Sequence, residues 1–80
     1  MPTVFRHLGF RFFFYSNEGD PRDPVHVHVM KGGGEAKIWL RPEVRVARSS
    51  GFDARTLRTL ARIVTDRADE IEEAWHEHFG

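Results

Sequence analysis

Apolar and polar residues alternate with a period of two through much of residues 1–40, and recur every three or four positions through 53–79. The first pattern belongs to half-buried strands and the second to an amphipathic helix. Residues 3–7 and 9–15 read as two strands joined in a hairpin about Leu8-Gly9. Phe10, Phe12 and Phe14 share one face of the second strand, and Arg11, Phe13 and Tyr15 share the other. The stretch 16–24 is a loop built from the strongest turn formers. In Val25-His26-Val27-His28-Val29 the alternation is strict, with three valines on one face and two imidazoles on the other. A turn over Lys31-Gly32-Gly33-Gly34 leads to a further strand over 35–40, which Pro42 terminates for want of a backbone N–H.

The hairpin formed by 25–30 and 35–40 tests its own register. A turn at Gly32-Gly33 places Val29 opposite Ala36, Val27 opposite Ile38 and Val25 opposite Leu40. On the second face His28 then meets Lys37, His26 meets Trp39 and Met30 meets Glu35. A slip of one residue mixes the two sets, so the pattern selects this pairing.

Beyond a loop over 41–52, Asp53 is a suitable N-cap. Leu57, Leu60, Val64, Ala68, Ile71, Trp75 and Phe79 form an apolar stripe that Ile63 and Ala74 widen. The stripe predicts one long helix over 53–79, or two helices broken near Asp66. The expected fold is α+β: a four-stranded antiparallel sheet made of two hairpins, with a long C-terminal amphipathic helix packed on one face. Residues 1–80 form one domain, with the hairpins over 1–40.

The chain has 80 residues and no cysteine, so neither a disulfide nor a thiolate metal site is available. A domain of this size buries only roughly 60% of its unfolded surface. Stability therefore rests on packing, mainly of seven phenylalanines and two tryptophans, and homodimerisation is expected to assist it. No apolar run is long enough to span a membrane and residues 1–6 lack a signal-peptide layout, so a cytoplasmic protein is expected.

Formal net charge is zero, with 12 basic and 12 acidic residues, which argues against nucleic-acid binding by charge alone. The charges are segregated. Seven arginines lie between 41 and 67, whereas five acids and no Lys or Arg follow Ala68. In a single helix this order opposes the macrodipole, so something other than helix stability has set it.

Several residue groups carry candidate chemistry. His26 and His28 suit a divalent metal such as zinc, with Glu35 diagonally across the pair and Glu18, Asp20 or Asp23 reaching back from the loop. Lys37 opposite His28 counts against a metal there. The same histidines suit general acid–base work on a phosphodiester, with Lys37 stabilising the developing charge. A polar strand face that merely contains histidine is the plain reading. Trp39 offers a stacking surface or a partner anchor, although an indole is more usually covered. Arg55, Arg58 and Arg62, preceded by Arg45 and Arg48, make a basic stripe for phosphates, for an acidic partner or for solvent. The zero net charge favours solvent or a protein over RNA. Asn17-Glu18-Gly19-Asp20 lacks the ligand spacing of a calcium loop, and His76 and His78 fall on different helix faces. The glycine-rich turn lacks the strand-to-helix setting of a phosphate loop, and no nucleophile triad is visible.

Met1-Pro2-Thr3, Phe10–Phe14 with Ser16-Asn17-Glu18-Gly19, and His26-Val27-His28-Val29 are similar to motifs of a family of small bacterial proteins. Gly34-Glu35-Ala36-Lys37-Ile38-Trp39-Leu40, Gly51-Phe52 and Glu73-Ala74-Trp75-His76-Glu77 extend the likeness over essentially the whole chain. The family is domain of unknown function 4160, whose members often carry proline at the position of Val25. Its members are commonly encoded beside domain of unknown function 2442 proteins, so the resemblance implies a toxin–antitoxin-like or regulatory gene pair. The expected function is action through a protein partner. A small nuclease-like phosphodiesterase using His26, His28 and Lys37 is the alternative, and a metal-binding module using His26, His28 and Glu35 is a third.

Overall fold

The computed structural model describes residues 3–15 and 24–80. Five strands, β1 (Thr3–His7), β2 (Phe10–Phe13), β3 (His26–Lys31), β4 (Gly34–Trp39) and β5 (Arg45–Ser50), precede two helices, α1 (Ala54–Asp66) and α2 (Ala68–Phe79). The strands form one antiparallel sheet in chain order. Phe12, Val27, Val29 and Ile38 project from one sheet face and are fully buried against Leu60 and Val64 of α1 and Ile71 of α2. Each such side chain contributes about 1.5–3 kcal/mol by leaving water.

The β3–β4 register is the one the sequence predicts. His26 pairs with Trp39, Val27 with Ile38, His28 with Lys37, Val29 with Ala36 and Met30 with Glu35. The Leu40 N–H donates to the Val25 carbonyl at 3.0 Å, which carries the pairing one step further.

Two elements differ from expectation. The segment 41–52, read as a loop, contains β5, so the sheet has five strands rather than four. Its sequence, Arg45-Val46-Ala47-Arg48-Ser49-Ser50, has only one β-branched apolar residue and no clean alternation. A bulge causes the irregularity. Lys37 pairs with Arg48 and Ile38 with Val46, so Ala47 is the extra residue.

The helical region divides at Arg67 (φ −116°, ψ 22°), close to the alternative break near Asp66. The Arg67 N–H donates to the Ile63 carbonyl, and the Arg67 carbonyl accepts from the Ile71 N–H, both at 3.0 Å. Its guanidinium pairs with Glu70 at 3.0 and 3.1 Å and lies 3.6 Å from the centre of the Phe5 ring. One residue thus ends α1, starts α2 and fixes both to β1. The division also resolves the charge order for α2. Asp69 and Glu70 occupy its first turn and His76 and His78 its last, as its own dipole favours.

Two contacts close the sheet onto the helices. Arg41 makes a two-pronged ion pair with Glu72 of α2, its Nε 2.9 Å from Oε1. Phe52 lies over Gly34 and meets Phe10 edge-on at 5.8 Å. A Cβ at Gly34 would stand 2.3 Å from Phe52 Cε1. Gly51, at φ +81°, makes the turn that delivers the ring, and a Cβ there would meet the Gly33 carbonyl oxygen at 2.8 Å. No helix among the described residues is long and apolar enough to cross a membrane.

Gly34→Ala is expected to destabilise the protein by about 1–3 kcal/mol through overpacking, read as a lower urea midpoint at unchanged slope. A second expectation concerns Asp53, whose side chain accepts from the Thr56 N–H at 2.7 Å. Hydrogen bonds from Thr56, side chain first and backbone second, hold the Asp53 carboxyl below its ordinary value. A lowered folded-state pKa gives stability that is present above the unfolded-state value and lost as pH falls through the folded one. The melting-temperature gap between the wild type and Asp53→Ala should therefore be open at neutral pH. It should close in strong acid, as pH passes below the carboxylate range.

Candidate functional site

The strand register assembles a second sheet face opposite the core. Phe13 of β2 pairs with His28 of β3, His28 with Lys37 of β4, and Lys37 with Arg48 of β5. Four strands thus contribute one continuous row, because directly paired residues share a face. On one side of it runs Arg11–Met30–Glu35–Ser50, and on the other His26–Trp39–Arg45. Arg6 joins the face by pairing with Arg11.

The Ala47 bulge determines which cations belong to this face. Arg45 and Arg48 are three residues apart, so strict alternation would send them to opposite sides. With Ala47 as the extra residue, Arg45 stands opposite Trp39 and Arg48 opposite Lys37, both on the second face. Among the described residues this face carries Arg6, Arg11, Lys37, Arg45 and Arg48 against a single acid, Glu35.

A cleft of about 100 Å³ opens along the central row, lined by Phe13, Tyr15, His28, Glu35, Lys37 and Arg48, among others. Its floor is aromatic. The His28 ring lies 4.5 Å from Tyr15 and 5.7 Å from Phe13. His26 lies 5.2 Å from His28, 5.3 Å from Trp39 and 5.0 Å from Trp75 of α2. The His26 Nδ1–H donates to the Pro24 carbonyl at 3.0 Å, which fixes the tautomer because a carbonyl only accepts. Lys37 Nζ sits 4.3 Å above the Trp39 ring, and the Arg11 guanidinium 4.6 Å above Phe13.

Both histidines are buried, at 2% and 6% exposure for His26 and His28, although they lie off the helix-packed face. Neighbouring rings cover them. Period-two alternation gives the direction of a side chain but not what else crowds that side. His28 and Lys37 line the cleft together, whereas His26 lies outside its lining, among the rings of His28, Trp39 and Trp75. Trp39 is half-buried beside them. Glu35 enters the cleft from the neighbouring row, opposite Met30. Among the described residues no group of three His, Asp or Glu is arranged to hold a metal. Glu18, Asp20, Asp23 and the turn over 17–20 lie outside the described residues.

Arg55, Arg58 and Arg62 form a separate place. With Thr59 they line a trough on the outward side of α1, turned away from Leu60 and Val64. The arginine stripe and the histidine pair are therefore two sites. Sequence reasoning placed neither Arg48 nor Tyr15 at the histidines. Tyr15 and Phe13 were legible as sharing a face with Arg11, but Arg48 was hidden in a segment read as loop.

An imidazole among aromatic rings, with a lysine and an arginine at the mouth, suits an anion. Lys37 and Arg48 place positive charge beside the His28 ring at the cleft.

No curated protein and no solved structure matches the chain. The model of one family, described as Domain of unknown function (DUF4160), matches residues 9–76. With the match spanning all but the ends, the chain belongs to the DUF4160 family.

Proposed function

We propose that this protein works as one member of a two-protein pair of the toxin–antitoxin or regulatory kind, and that it meets its protein partner through α1. The observation that carries this reading is a contrast among the arginines. Arg41 and Arg67 are committed to Glu72 and Glu70. Arg55, Arg58 and Arg62 form no ion pair among the described residues and stand together along one trough. Arg55 also occupies the first turn of α1, where a cation opposes the dipole, and only the N-cap carboxylate of Asp53 lies near enough to offset it and Arg58. Three outward guanidiniums without an ion pair match an acidic protein surface. A domain of unknown function 2442 protein is the partner to which the family resemblance points. A second reading, a nuclease-like phosphodiesterase, is supported by His28 and Lys37 lining one cleft.

Reversing Arg55, Arg58 and Arg62 to glutamate should weaken the complex with the neighbouring gene product by about tenfold or more. Circular dichroism and the melting temperature of the isolated chain should be unchanged. Calorimetric titration measures the first effect, and unaltered affinity in the reversed variant would falsify the proposed docking surface.

A further inference from the structure

We infer that the open sheet face binds a single-stranded polynucleotide, with a backbone phosphate seated between Lys37 and Arg48. The chain as a whole is neutral, but neutrality averages over faces. The described residues of this one carry five cations and one acid, while most acids of the helical region lie on α2. A phosphodiester backbone responds to the local surface and not to the total.

Shape narrows the ligand. About 100 Å³ accommodates a phosphate group, not a whole nucleotide, so a bound strand would place one phosphate in the cleft and lay its bases on the flanks. Tyr15 lies at the cleft and Trp39 in the row beside it, and both rings are half-buried. Partly exposed rings next to paired cations are the means by which proteins hold unpaired bases, through stacking that any base supports. A duplex keeps its bases stacked inside and has nothing to offer those rings. Trp39 already carries the Lys37 ammonium at 4.3 Å, so ring and cation are held as one unit.

Glu35 gives the face a direction. It stands in the Arg11–Met30–Glu35–Ser50 row, on the side of the cleft away from Trp39 and Arg45. Its carboxylate lines the cleft from that side and repels phosphate there, with Arg11, two strands away in the same row, as the row's cation; the other side holds Arg45 and no acid among the described residues. The strand runs from the cleft toward Trp39 and Arg45. This site lies apart from α1 and its arginines, so it does not depend on the partner-binding proposal.

The test is fluorescence anisotropy of a short labelled RNA and the DNA of the same sequence, titrated with the full chain over a range of salt. Saturable binding is expected, weakening with salt by about 0.7 logarithmic units per decade for each phosphate contact. Lys37→Gln with Arg48→Gln should weaken it about tenfold and flatten the salt slope. Arg48→Gln alone, an exposed position, should give a several-fold part of that loss and guards against misfolding of the double variant. Tyr15→Leu should weaken binding at nearly unchanged salt slope, because it removes stacking and not charge. Reversal of Arg55, Arg58 and Arg62 should leave it unaltered. Equal binding of RNA and DNA supports recognition of the phosphate alone, and tighter RNA binding adds the 2′-hydroxyl. Three results overturn the inference. These are unchanged binding in the double variant, displacement by polyglutamate as readily as by unlabelled oligonucleotide, and a dimer mass in light scattering that Arg48→Glu converts to a monomer mass.

Discussion

The antiparallel pairing of β3 with β4 in a single register determines what both faces of the molecule contain. With Val27 opposite Ile38 and Val29 opposite Ala36, one face presents an apolar centre that seats both helices. The same pairing puts His28 beside Lys37 and His26 beside Trp39 on the other. A shift of β4 by one residue would turn Lys37 toward Leu60 and Val64 and expose Ile38 and Ala36. The lost isoleucine alone costs about 1.5–3 kcal/mol, and an unpaired buried ammonium costs more. Small domains are stable by only about 5–15 kcal/mol, so the slipped register does not compete. The cleft and the core are two consequences of one choice.

Much of this was legible because one physical rule governed it. The hairpin turn, the six pairs of β3 and β4 and the division of faces all follow from alternation around Gly32-Gly33. The rest was hidden where two rules compete. In β5 the Ala47 bulge breaks alternation, so Arg45 and Arg48 carry no strand signature and Arg48 was not placed at the histidines. At Arg67 the apolar stripe continues unbroken while the backbone does not, because the residue is held by Phe5 and Glu70, which no helical periodicity reveals. The histidines show a third limit. Their direction was readable, but their burial depends on Tyr15, Trp39 and Trp75 converging from other elements. Net charge was the least informative quantity of all, since it cancels a basic sheet face against an acidic helix.

A small domain with two separated basic surfaces has a simple logic. The trough on α1 is built on a helix whose packing is completed by Leu60 and Val64 from behind, so its arginines face outward. The sheet face is braced differently. Trp75 reaches from α2 to the His26 ring, and the His26 ring in turn supports His28 at the floor of the cleft. The helices thereby stabilise the floor without covering its mouth. In such an arrangement a partner held on α1 leaves the cleft open, and a ligand in the cleft leaves α1 open.

All of these relations assume that the bulge at Ala47 brings Arg45 and Arg48 to one side. Cross-strand NOEs between β4 and β5 in the protein free of ligand measure it most directly. The account predicts contacts pairing Lys37 with Arg48 and Trp39 with Arg45, with Ala47 unpaired between them. Contacts pairing Ile38 with Ala47 and Trp39 with Val46 would mean a regular strand. Arg45 would then leave the face, and the path from the cleft past Trp39 would lose its cation.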